Sequence, residues 1–113
     1  MVVGGMRGVI NKMNAEKIRC IANEYGLRKQ SRQCVEELSE LIKAICKWDR
    51  KWGYSLLSDS HECEERTNII EEIADCKIML SQIEYLMSAE YDVEEEMERK
   101  IDRQIRRIAD AAE

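Results

Sequence analysis

No proline interrupts this chain of 113 residues. That removes the strongest internal helix breaker and leaves glycine and short polar clusters as the punctuation. Glu, Lys, Arg, Ile, Leu, Met and Ala dominate, phenylalanine is absent, and Val, Thr and aromatics are sparse. This composition favours helix strongly and strand weakly. The chain therefore reads as all-α and as one domain's worth of residues.

Four helices are expected. The first covers residues 9–25, with Ile10, Met13, Ile18, Ile21 and Ala22 on its apolar side and Gly26 as its stop. The second covers residues 28–51, with Val35, Leu38, Leu41, Ile42, Ile45 and Trp48 as its apolar set. A linker follows over residues 52–60. The third helix runs from His61 or Glu62 to Met87, capped by Ser60 or Asp59. The fourth runs from its cap Asp92 to about Ala109, with Val93, Met97, Ile101, Ile105 and Ile108 as its stripe. Residues 1–8 read as an unstructured leader and residues 9–113 as a single four-helix bundle. Helices this long in so short a chain make a thin bundle, so a homodimer or homotetramer is expected.

The formal net charge is −5, with both signs interspersed. No basic footprint for a nucleic-acid polymer is present. No apolar run approaches the roughly 18 residues that span a bilayer, and no signal-peptide core occurs. The five cysteines, Cys20, Cys34, Cys46, Cys63 and Cys76, are odd in number and form no Cys-x-x-Cys pair. They read as reduced thiols of a cytoplasmic protein.

Two acidic clusters carry the chemistry. One is Glu36-Glu37-Leu38-Ser39-Glu40 on the second helix, the other Glu71-Glu72-Ile73-Ala74-Asp75 on the third. Glu37 and Glu40 are three apart and share a helix face, as do Glu72 and Asp75. In a chain that is 36% charged, pairs at this spacing also arise as solvated charges. At about 100° per residue, the second helix centres its apolar arc near Leu38, Ile42 and Ile45, with Glu37 at the border of that arc, Glu40 beside it and Glu36 further out. On the third helix, Glu72 and Asp75 share a side with Cys76, Met79, Ile83 and Leu86, with Asn68 one turn above. Carboxylates on an apolar face are costly unless paired or bound to a metal. Packed antiparallel, the two helices would gather four hard-oxygen donors around one point, which suits Mg²⁺ or Mn²⁺. A di-iron carboxylate site normally uses Glu-x-x-His on two helices. The single histidine, His61, is not in that spacing.

The pattern Glu-Glu-x-x-Glu followed by Glu-x-x-Asp, here EELSE (36–40) and EIAD (72–75), resembles the motif pair of the MazG-like all-α nucleoside triphosphate pyrophosphohydrolases. The flanking stretches YGLRKQSRQCVEELSELIKAICK and NIIEEIADCKIMLSQIEYL, and the closing helix VEEEMERKIDRQIRRI, are similar to that family as well. The resemblance covers residues 24–108. The spacer between Glu40 and Glu72 is longer than is usual there, with the extra residues between Trp48 and Glu65, and this bears on substrate choice.

The resemblance implies hydrolysis of an NTP or dNTP to the monophosphate and pyrophosphate. Glu37, Glu40, Glu72 and Asp75 would hold Mg²⁺, or Mn²⁺, and Glu36, Glu37 or another member of the cluster would act as base. Lys100, Arg103 and Arg107 would bind phosphates, although an exposed amphipathic helix accounts for these cations equally well. Trp48 offers a stacking surface for a base, and Asn68 a hydrogen bond to substrate or carboxylates. Helix-end packing for Trp48 and a solvent-facing place for Asn68 are the simpler roles. A non-enzymatic helical interaction module is the rival reading. It leaves Glu72 and Asp75 unexplained.

Overall fold

The computed structural model describes residues 10–53 and 63–112, and these form three helices with no strand among them: α1 (Lys12–Trp52), α2 (Glu64–Leu86) and α3 (Glu90–Ala111). The chain is all-α, as composition predicts. The first two expected helices are joined as α1. Gly26 does break the helical geometry, with φ 84° and ψ 165°, but both flanks stay helical and the chain kinks instead of turning back. That backbone region is essentially open to glycine alone. A Cβ at Gly26 would meet nothing within 4 Å, so the backbone conformation, and not crowding, demands glycine.

Local chemistry sets the ends. Asn11 caps α1 by accepting the Asn14 N–H at 2.9 Å, and Arg50 and Lys51 complement the helix dipole in the last turn. The expected caps Ser60 and Asp59, and the expected start at His61 or Glu62, lie outside the described residues. As described, α2 begins at Glu64 after extended Cys63. It ends in a Schellman turn. Ser88 adopts φ 54°, its N–H donates to the Tyr85 carbonyl at 3.0 Å, and the Ala89 N–H donates to Glu84 at 2.8 Å. The chain thus reverses at once, and α3 begins at Glu90. Asp92, expected as the cap, lies in the first turn beside Glu90, where carboxylates favour the dipole.

Cross-links along the hairpin fix its direction. Tyr85 Oη lies 3.1 Å from Asn23, Gln82 bonds Gln30 at 2.7 Å, the Cys76 thiol donates to the Glu37 carbonyl at 3.3 Å, and Glu65 meets Lys51 and Trp52. Residue numbers rise on α1 as they fall on α2, so the two helices run antiparallel along almost their full length. Ile18, Ala22, Cys34, Cys76 and Met79 are the buried apolar residues between them. Gln82, only 1% exposed, and Gln30 satisfy each other inside this seam.

The face that α1 turns to α2 is not the one its hydrophobic pattern points to. Gln30 and Cys34 are buried and Glu37, Leu41, Ala44 and Trp48 half-buried, whereas Val35, Leu38, Ile42 and Ile45 are exposed. The inward stripe contains two polar residues, which hides it from a reading based on hydrophobicity. Glu37 accordingly lies on the packed face itself, further in than the border expected for it.

Beyond the turn, α3 folds back beside α2. Ile18 and Arg19 of α1, Lys77, Leu80 and Glu84 of α2, and Val93 and Met97 of α3 are among the residues lining a groove of about 580 Å³. Arg19 pairs with Glu90 at 3.3 Å and lies 5.5 Å from the centroid of the Tyr85 ring, tying the start of α3 to the hairpin. α3 is loosely covered: none of its residues is buried.

Candidate metal centre

The antiparallel register sets the turn around Glu37 against the turn from Glu72 to Cys76. Glu37, Glu72 and Asp75 each bring one carboxylate oxygen into a group whose members lie within 4.8 Å of one another. Glu37 and Glu72 are half-buried and Asp75 is exposed, so the trio has an inner side and an open side. Gln33, one turn before Glu37, donates from Nε2 to the Glu37 carboxylate at 2.9 Å and orients it. The sequence reading passed over Gln33; its only signal is the four-residue spacing to Glu37.

Glu72 is the least comfortable of the three. Its Oε2 is buried without a hydrogen-bond partner. Its carboxyl is pushed above the ordinary carboxylate range, first by desolvation, then by the charges of Asp75, Glu37, Glu40 and Glu71. Every charge acting on it is another carboxylate. A buried anionic oxygen among like charges is a cost to the fold. A divalent cation between the carboxylates would turn the same repulsion into ligation. The donor set fits: all oxygen, all anionic, and open on one side for waters and phosphate oxygens, as Mg²⁺ requires.

The nearby thiols do not compete for that role. Cys76 is pushed up by burial and by the charges of Cys34, Glu37, Glu72 and Asp75, and Cys34 by burial and by Glu37. Both stay protonated at neutral pH, and a thiol is a poor ligand compared with a thiolate. All five cysteines are free, as the sequence predicts.

The other expected site residues are distributed around this trio. Glu40 is exposed and outside the trio, yet close enough to raise Glu72. Glu36 is exposed and lines a separate shallow cleft with Tyr25, Arg28, Lys29, Arg32 and Gln33. Asn68 is half-buried one turn before Glu72, and Trp48 is half-buried on the α2-facing side of α1. On α3, Lys100 and Arg107 are exposed, and Arg103 is half-buried with an Nε that is buried and without a partner. Lys100 and Arg103 act on Glu96, beside Arg99, and none of the three α3 cations is among the charges that shift Glu72. The structure thus gathers Glu37, Glu72 and Asp75, with Glu40 close by, and leaves Glu36 and the α3 cations apart from them.

A second carboxylate on the same side of α2 was missed by sequence reasoning. Glu65 is 4% exposed, accepts the Trp52 indole N–H at 3.1 Å and pairs with Lys51 at 3.2 Å. These bonds, the indole's foremost, hold its carboxyl below the ordinary range. Compared with protein-family models, curated proteins and solved structures, the chain matches none.

Proposed function

We propose that the chain is a Mg²⁺-dependent nucleoside triphosphate pyrophosphohydrolase of the MazG-like kind, converting an NTP or dNTP and water to the monophosphate and pyrophosphate. The observation that carries this reading is the convergence of Glu37, Glu72 and Asp75 around a buried, unpartnered Glu72 oxygen. The EELSE and EIAD motifs that supply these side chains support it from the sequence. Mn²⁺ would serve in place of Mg²⁺ on the same hard-oxygen donors.

The cation, when bound, would neutralise phosphate oxygens and increase the acidity of water. Glu37, Glu72 and Asp75 would hold it, and the Gln33 amide would keep the Glu37 carboxylate turned towards the site. A carboxylate outside the trio would take the proton of the attacking water. Glu40 adjoins Glu72, whereas Glu36 would have to swing from the neighbouring cleft. The water oxygen would bond to the α-phosphorus as the bond to the bridging oxygen breaks, and that oxygen would leave with pyrophosphate. Lys100, Arg103 and Arg107 would act on the leaving phosphates only if α3 is carried to the site, in the same chain or in a partner copy. Trp48 and Asn68 would meet the nucleoside end. Such an activity suits housecleaning of cytoplasmic nucleotide pools, carried out by a homo-oligomer.

The test is pyrophosphate release from a panel of NTPs and dNTPs, including dUTP and dCTP, with Mg²⁺ and with EDTA. Metal-dependent release of monophosphate and pyrophosphate, lost in Glu72→Ala, is the expected result. A second reading, a non-enzymatic helical interaction module, is favoured by the exposed apolar residues of α1 and α3. Folded protein that turns over no nucleotide with Mg²⁺ or Mn²⁺ would select it.

A further inference from the structure

The apolar stripes of α2 and α3 continue past the groove they share, and neither covers the other. At about 100° per residue, Ile70 and Ile73 lie on the side of α2 that carries Lys77, Leu80 and Glu84. Ile101, Ile105 and Ile108 lie on the side of α3 that carries Met97. Yet Ile70 and Ile73 remain exposed, and Ile101, Ile105 and Ile108 are 57–61% exposed. The two helices therefore part beyond the groove.

The charges of α3 say what fits there. Residues 90–98 carry six acidic side chains, Glu90, Asp92, Glu94, Glu95, Glu96 and Glu98, and no basic one. Residues 99–108 carry five basic ones, Arg99, Lys100, Arg103, Arg106 and Arg107, against Asp102 alone. The helix dipole favours such a bias only within the first and last turns, but the division here runs through the whole helix and falls at its middle. A second α3 laid antiparallel would set acidic half against basic half at both ends, with the apolar stripes between them. Laid parallel, it would set like against like.

We propose that two copies of this chain pair through α3, antiparallel, about a twofold axis near Ile101. Such an interface is isologous and closes on itself, so the assembly stops at a pair through this surface. The isoleucines supply the buried strip, and the divided charge fixes the direction. The proposal rests on the self-association in the reading above and not on its chemistry, so a failed pyrophosphate assay leaves it standing.

Sedimentation velocity tests it, with helicity by circular dichroism as the check on folding. Wild-type chain is expected to sediment as a dimer at micromolar concentration, and more weakly at high salt. Ile101→Glu with Ile105→Glu should yield a helical monomer. Two triple variants test the role of charge: Glu94→Lys, Glu95→Lys, Glu98→Lys, and Arg103→Glu, Arg106→Glu, Arg107→Glu. Each alone should be monomeric, and an equimolar mixture should recover the dimer, which a mere folding defect would not allow. A monomeric wild type, a dimer that survives the isoleucine changes, or folded triple variants that dimerise alone or fail to pair when mixed would overturn the proposal.

Discussion

Glu65 and Glu72 stand two turns apart on the α1-facing side of α2, and the fold treats them in opposite ways. At the end of the hairpin where α1 stops and α2 begins, Glu65 is nearly enclosed, with an indole N–H and an ammonium both donating to it. At mid-hairpin, Glu72 has a buried oxygen with no donor and four carboxylates pressing on it. The first carboxyl is held below its ordinary range and the second above. A charge whose neighbours answer it within the chain works for the fold. One that is desolvated and left among like charges works against the fold until something from outside answers it. The difference separates a carboxylate satisfied within the fold from the one proposed here as a ligand.

Exchanging roles between these two residues should have the largest effect. Glu72→Gln keeps the shape and removes the charge. Pyrophosphate release should fall at least about 100-fold, since several kcal/mol of transition-state stabilisation depend on a correctly held cation. The same variant, free of metal, should melt no lower than wild type at neutral pH, because a repelled charge has gone. Glu65→Gln should do the reverse: a clear drop in melting temperature, with the Mg²⁺-dependent part of the stability retained. Calorimetry with and without Mg²⁺ on both variants checks the pair together.

pH sharpens the contrast next. Glu72 holds its proton longer in the folded state, so between the ordinary value of 4.5 and its own raised value the folded chain binds more protons than the unfolded one. Its contribution to metal-free stability therefore declines as pH rises through that window. Glu65 behaves oppositely. Its contribution is present above 4.5 and is lost as pH falls through its depressed value. Because protons compete with the cation for Glu72, the rise in melting temperature given by Mg²⁺ should grow as pH climbs through the same window. A Mg²⁺ effect flat from mild acid to neutral pH would place the cation elsewhere.

The smallest effect should come from Gln33→Ala. It removes the amide that orients Glu37 and leaves every carboxylate in place. Cation affinity should drop by about tenfold, the low end for a ligand's supporting partner, and the fold should be unaffected because Gln33 is exposed. Mn²⁺ titration reads this directly.

How much of this was legible in the sequence follows from what is local. Helical character, the break at Gly26 and the placement of Glu72 beside Cys76 and Met79 all follow from composition or from spacing within one helix. The inward face of α1 was obscured because Gln30 and Glu37 dilute it, while the more apolar Val35, Leu38, Ile42 and Ile45 set faces solvent in the single chain. The answer to Glu65 comes from Lys51 and Trp52 on the other helix, a pairing no spacing rule reveals. The early start of α3 was hidden because Ser88, not a glycine, takes the left-handed position that ends α2.

The most direct test of the central claim is a Mn²⁺ titration followed by electron paramagnetic resonance of the free ion, on wild type and Glu72→Gln side by side. The account expects saturable Mn²⁺ binding by the wild type, displaced by Mg²⁺ and lost or weakened at least tenfold in the variant. Wild-type protein that leaves Mn²⁺ free, or a variant that binds it equally well, would contradict the account: Glu37, Glu72 and Asp75 would then be three close carboxylates and no metal site.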